Sequence, residues 1–239
     1  MNCKEEFSRS ARVLGCTAVE RLAEARVAVF GIGGVGGYVC EALARAGVGA
    51  IDLFDSDTVS LSNINRQIIA LHSTVGRPKT EVMRERILDI NPDCRVTAHN
   101  VFYLPENAAD YPLDGYDYIA DAIDTVTSKI ELIVRATEAG APIISSMGTG
   151  NKLDPLRLTV TDLSKTAGCP LARVMRRELK ARGIAHLRVV YSEESPVQAP
   201  DDAPQAEADA HKRQPPGSLP FVPPVAGLLM ASEIIKNLI

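Results

Sequence analysis

The sequence predicts an α/β protein: a Rossmann-like, mainly parallel sheet with helices on both faces. Three observations predict it. Short β-branched runs alternate with segments that are apolar at helical spacing, a glycine-rich turn joins the first such strand to its helix, and an acid ends the next strand. With 239 residues, 46% hydrophobic and 23% charged, the chain has ordinary globular usage and enough length for a sizeable core. It is read as one domain over 1–239.

Arg26-Val27-Ala28-Val29-Phe30 reads as a buried parallel strand. From 35 to about 46, Val39, Leu43 and Ala46 recur at helical spacing until Gly47 ends the run. Ala50-Ile51-Asp52-Leu53-Phe54 is the next strand, which completes a right-handed β-α-β unit. A helix over 78–90 opens on proline and stops at Asn91-Pro92. Further strands are expected at 95–98, 118–123, 142–146, 157–161 and 187–191, with helices at 126–139 and 170–182. The apolar run 225–239 suits a terminal helix or an association surface. Segment 193–217 has five prolines, several acids and only Val197 as an apolar residue larger than alanine. Such composition does not offset its own ordering entropy, so a mobile loop or a bland linker is expected there.

Composition narrows the function classes. Five cysteines, at 3, 16, 40, 94 and 169, are odd in number and form no C-x-x-C pair, against both a disulfide framework and a structural zinc site. No stretch approaches the ~20 apolar residues of a membrane span, and acids stand early in the chain where an export signal would be apolar. The expected location is cytoplasmic. A net charge of −4 does not advertise a nucleic-acid binder, although it says little about a local patch.

The chemistry is carried by two motifs. Gly31-Ile32-Gly33-Gly34-Val35-Gly36 cradles phosphates at a helix start, and Asp55, at the end of the second strand, suits ribose hydroxyls or a local turn cap. These features fit NAD, FAD or ATP alike. Asp57 and the run Ser62-Asn63-Ile64-Asn65-Arg66-Gln67, with Lys79 at the next helix start, separate them. A triphosphate under attack builds charge on its leaving group, and cations aimed there are a large catalytic term. Arg66 supplies a rigid fork and Lys79 a point charge aided by its helix terminus. Asp124, just past a strand end, is placed to hold Mg²⁺ through oxygen ligation or to cap the helix that follows; Asp121 is the weaker candidate.

Together G-x-G-G-x-G, D-x-D-x-V-x-x-S-N-x-N-R-Q, G-x-P-K and D-x-x-D resemble the adenylating superfamily of ubiquitin-activating enzymes, whose bacterial members include MoeB and ThiF. The resemblance implies ATP with Asp55 on ribose, Asn63, Arg66, Gln67 and Lys79 on phosphates, and Mg²⁺ at Asp124. It also implies a homodimer in which an N-terminal arginine, here Arg9 of Phe7-Ser8-Arg9, reaches the partner's triphosphate. Room is left for a monovalent cation such as K⁺ or Na⁺ and for a sulfur-transfer partner.

The zinc cysteines of MoeB- and ThiF-like enzymes are missing. Glu81-Val82-Met83, Asp89-Ile90-Asn91-Pro92, Val160-Thr161-Asp162-Leu163 and Phe221-Val222-Pro223 are instead similar to the tRNA threonylcarbamoyladenosine dehydratase family, over about residues 5–239. Cys169-Pro170 stands where that family usually has Asp-Pro, which leaves a thiol role for Cys169 open. The resemblance implies ATP activation of a carboxylate on a tRNA-borne adenosine, followed by internal ring closure. A tRNA substrate calls for a basic surface, and Arg173, Arg176, Arg177 and Lys180 fall on one helical face, the alternative being a solvated face answered by acids. Competing readings are an adenylyltransferase for a ubiquitin-like sulfur carrier, a nicotinamide- or flavin-dependent oxidoreductase, and a nucleotide-binding module without catalysis.

Overall fold

In a computed structural model, residues 4–200, 202–203 and 216–239 are described. Two helices precede the sheet, α1 (Ser8–Leu14) and α2 (Cys16–Glu24), separated by Gly15 at φ +86°. Neither helix is among the elements expected from the sequence. Their anchors are few: Phe7, Val19 and Leu22 are buried, and the Phe7 ring lies against Gly47.

The core follows the expected alternation. Strand β1 (Arg26–Phe30) leads through the glycine turn into α3 (Gly36–Ala46), then β2 (Ala50–Phe54), α4 (Lys79–Ile90), β3 (Arg95–His99), β4 (Tyr118–Asp121), α5 (Val126–Glu138), β5 (Ile143–Ser146), β6 (Leu158–Asp162), α6 (Pro170–Lys180), β7 (Arg188–Ser192) and α7 (Val222–Leu238). The strands lie in the order β3-β2-β1-β4-β5-β7-β6, and all pairings are parallel except β6 with β7. The order reverses between β1 and β4, where open α/β sheets form a ligand crevice at the carboxyl ends of their strands.

Both faces of β1 are covered, so its residues are apolar at consecutive positions. Val27 and Val29 join Ile51 and Leu53 under α3, α4 and α7, while Ala28, Phe30 and Phe54 pack with Tyr103, Leu113 and Leu132 on the other face. Gly47 ends α3 in the left-handed region at φ +89°, a conformation that costs glycine least. The terminal apolar run is a core helix, not an association surface: Val222, Ala226, Met230 and Ile234 recur every fourth residue and are all buried. Its Gly227 meets α3 so closely that a Cβ would stand 2.3 Å from the Val35 carbonyl.

Residues 201 and 204–215, the middle of the loop expected over 193–217, lie outside the described residues. Its flanks are tied to one short loop. Val197 N–H donates to Asn151 O, Gly217 N–H donates to Asn151 Oδ1, and Asn151 N–H donates to Gly217 O. Among the described residues no helix is long and apolar enough to cross a membrane.

Candidate nucleotide site

The glycines of the first turn do two different jobs. Gly31 sits at φ +88°, and a Cβ there would lie 2.6 Å from Ala122 O; a Cβ at Gly36 would lie 1.8 Å from Gly31 O. These two let the turn close between β1 and α3. Gly33 and Gly34 face outward toward Gln67, Arg66 and Pro223. The amides of Gly33, Gly34 and Val35 have no protein acceptor among the described residues, and no side chain caps α3. A bare helix N-terminus with free amides is an anion site.

Asp55 braces this turn. Its Oδ2 accepts from Ile32 N–H at 2.6 Å and its Oδ1 from Asp57 N–H at 2.8 Å. Burial raises its pKa above the ordinary aspartate value, against the lowering effect of Lys79 and the two N–H donors. Each oxygen retains a lone pair for a ribose hydroxyl. Lys79 opens α4 and is almost fully buried, with Nζ 2.7 Å from Asp57 Oδ2 and 3.9 Å from Asp55 Oδ1. Asp57 therefore acts as the counter-ion that holds Lys79 at the mouth of the turn.

The polar run forms the opposite wall. Asn63 is buried, and its Oδ1 accepts from Ser60 N–H in a reciprocal cap, so this residue shapes the loop as well as facing the site. The Arg66 stem lies against Gly34, and its guanidinium donates to Ser62 O and Asn65 Oδ1. No carboxylate pairs with it among the described residues, which leaves its full charge for an anion. Gln67 is buried beside Gly33, with one side-chain amide atom lacking a partner, an orphan that a polar ligand would satisfy.

Asp124 is exposed three residues beyond β4, and its nearest hydroxyl, Thr125 Oγ1, is 3.4 Å away. Thr125 takes the N-cap position of α5, so Asp124 is not the helix cap. Asp121 is wholly buried and ion-paired to Lys129 Nζ at 2.7 Å, which removes it as a ligand. No cluster of three metal-ligating side chains occurs among the described residues. A lone carboxylate beside a phosphate cradle is nevertheless the arrangement Mg²⁺ uses, since phosphate oxygens complete its shell.

Other expected residues lie apart. Arg9 is exposed on α1, just past Phe7, which packs at the far end of α3 from the glycine turn. The helix has 11 residues, and at 1.5 Å per residue that is about 16 Å. On α6, Arg176 donates to Thr166 O and Arg177 is paired with Glu178, while Arg173 and Lys180 are exposed with no ion pair among the described residues. The expected four-charge face is thus reduced to two free cations. Cys169 is 4% exposed, packed in an apolar cluster with Leu163, Ala172 and Tyr191, and Pro170 opens α6 behind it. That burial does not suit a thiol nucleophile.

Two features escaped the sequence reading. Lys129 sits in the first turn of α5 and reads as a surface lysine, yet it is the hub of a buried network. The chain preceding α7 also reaches the site: Asn65 Nδ2 donates to Ser218 O, and the Pro223 ring lies over Gly34. The sequence pattern had pointed the other way, to a mobile loop or linker over 193–217.

The model of the ThiF family matches residues 7–239. The tRNA threonylcarbamoyladenosine dehydratase of Bacillus subtilis is 44% identical over 240 residues, 98% of this chain and 94% of that protein. The crystal structure of the Escherichia coli tRNA N6-threonylcarbamoyladenosine dehydratase, TcdA, in complex with ATP superposes with a TM-score of 0.87. It is 38% identical, over 98% of this chain and 94% of that one. The molybdopterin-synthase adenylyltransferase of Salmonella typhimurium is 39% identical, but over only 53% of this chain and 50% of its own length.

Proposed function

The chain belongs to the ThiF family, and on that premise we propose that it is an ATP-dependent tRNA threonylcarbamoyladenosine dehydratase. The Bacillus subtilis relative of that name aligns along 98% of the chain, whereas the molybdopterin-synthase adenylyltransferase aligns along 53%. The observation that carries the reading is the convergence of a free-amide glycine turn, Lys79, Arg66 and an exposed Asp124 at one sheet edge.

A carboxylate is a poor electrophile until one of its oxygens belongs to a good leaving group. Its oxygen attacks a phosphorus of ATP, and the bond to the departing phosphate breaks. The glycine-turn amides and Lys79 hold the phosphates, and Arg66 meets the charge that develops. Lys79 is held in place by Asp57 before the nucleotide arrives, so little reorganisation is needed. Mg²⁺, when bound at Asp124 and the phosphates, would neutralise further charge and orient the reacting phosphorus. A nucleophile within the same substrate then attacks the activated carbonyl, the ring closes, and the former carboxylate oxygen leaves with the phosphate. The net loss is one water. Proximity within one substrate supplies several kcal/mol, and no enzyme nucleophile is required. The buried thiols of Cys40, Cys94 and Cys169 agree with that.

Arg9 complements this site from a second copy. In its own subunit it stands at the far end of α3, and a two-fold dimer would carry each Arg9 to the other site. The exposed Arg173 and Lys180 on α6 contribute to a tRNA-facing surface.

The test is to incubate purified protein with threonylcarbamoyladenosine-containing tRNA, ATP and Mg²⁺, then weigh the nucleosides. A mass loss of one water that requires ATP is the expected result. No mass change, with pyrophosphate exchange driven by a carrier protein ending in Gly-Gly, would replace this reading with the adenylyltransferase.

A further inference from the structure

The first two turns of α5 and the middle of α6 enclose a groove of about 420 Å³, which begins at Val126 and Thr127, two and three residues past Asp124. Its volume falls in the range of small-ligand sites. Val126, Ile130 and Val174 give it an apolar floor, and Arg177, Glu178 and Arg182 stand at its mouth. Glu178 is the hinge of that mouth: its Oε1 accepts from Arg177 Nη2 at 2.8 Å and its Oε2 from Arg182 Nη1 at 3.1 Å. The other carboxylate along the groove, Glu131, is answered by Arg135 at 2.7 Å.

We propose that this groove seats a nucleotide of the substrate tRNA next to the modified adenosine, its base on the apolar floor and its phosphate on Arg177 and Arg182. The inference rests on the dehydratase reading, which obliges an RNA strand to leave the reacting centre. The groove departs from Asp124 along α5, within about 10 Å of it by the helical rise. Its two arginines present forked donors that suit a phosphate. Exposed ion pairs contribute little stability, so a phosphate displaces Glu178 at small cost. Glu178 thereby acts as a latch that keeps both guanidinia poised at the mouth.

The experiment measures the affinity of labelled, threonylcarbamoyladenosine-containing tRNA across a salt series, for the wild-type chain and three variants. Glu178→Gln frees both arginines and tightens binding about three- to tenfold. Arg177→Gln with Arg182→Gln weakens it about tenfold or more and flattens the slope of log K against log salt by about 1. Val174→Gln weakens binding with the slope unchanged, because a base contact releases no counterions. ATP affinity stays at the wild-type value in all three, which reports that the fold is intact. Wild-type tRNA affinity in Glu178→Gln, or a wild-type salt slope in the double variant, overturns the proposal. If the wild-type chain neither binds nor dehydrates the tRNA, the dehydratase reading falls with it. If it does both and the variants match it, the groove alone falls.

Discussion

Lys129 and Asp121 form a fully buried ion pair whose removal has a calculable sign. The ammonium donates to Asp121 Oδ2 at 2.7 Å, Ser145 Oγ at 3.0 Å and Ser146 O at 3.0 Å, so all three protons are used. Ser145 Oγ–H in turn donates to Asp121 Oδ2 at 2.6 Å. Deleting one charge strands the other in an apolar interior, a loss of about 3–5 kcal/mol, whereas deleting both removes two desolvation costs together. Lys129→Met is therefore expected to lower unfolding free energy by that amount, and Asp121→Leu with Lys129→Met to recover most of it. Urea denaturation reads both; equal losses in the single and double variants would mean the pair is not the source. The network joins β4, β5 and α5 directly behind the loop that carries Asp124, so it fixes the edge on which the site is built.

At the scale of elements, α3 and α4 carry the glycine turn and Lys79, and Glu41 clamps them together. Its carboxylate takes Arg86 Nε at 2.6 Å from α4 and Arg45 Nε at 2.8 Å from its own helix. Burial alone would raise the Glu41 pKa, but the two arginines outweigh it and hold it below the ordinary value. A depressed carboxyl stabilises the fold fully above its unfolded pKa of about 4.3 and loses that contribution as pH falls through the lower folded value. Glu41→Gln should thus cost about 1–2 kcal/mol at pH 7, discounted for the partly exposed Arg86, and the gap from wild type should narrow as pH falls below about 4.3. A gap that does not narrow at all as the pH is lowered would assign the loss to packing. Helical spacing ended by Gly47 made α3 readable to within a residue, and Pro78 at the start with Asn91-Pro92 at the stop did the same for α4. The two helices before β1 were not expected, although in α2 the buried Val19 and Leu22 stand at helical spacing; α1 buries no side chain at all. Nor could helical spacing show that Arg176 turns back to Thr166 and Arg177 to Glu178, since those partners are set by the folded chain. The candidate nucleotide residues stand out in the sequence because they fall in local motifs, whereas Lys129 does not, since its partners lie on β4 and β5.

At the scale of the whole molecule, the proposal that Arg9 serves the cradle of a second copy is the one that can be tested. Phe7 is held against Gly47 at one end of α3, and the phosphate cradle opens at the other, about 16 Å away by the helical rise. In the proposed two-fold dimer each arginine would cross to the opposite cradle. The arrangement makes a quantitative claim. Arg9→Ala and Lys79→Ala should each abolish water loss from the modified nucleoside when tested alone. In a mixed dimer, the subunit carrying Arg9→Ala keeps its own Lys79 and receives Arg9 from its partner, so one site of the two is whole. The other site lacks both groups. Equal mixing with free exchange makes about half of the dimers mixed, and the preparation should regain about one quarter of wild-type activity. Native mass spectrometry confirms that mixed dimers form, and the nucleoside mass assay reads the recovery. Stable mixed dimers with no recovery would place Arg9 outside the reaction, while high activity of Arg9→Ala alone would show that the triphosphate is held by Lys79 and Arg66 without help from a partner.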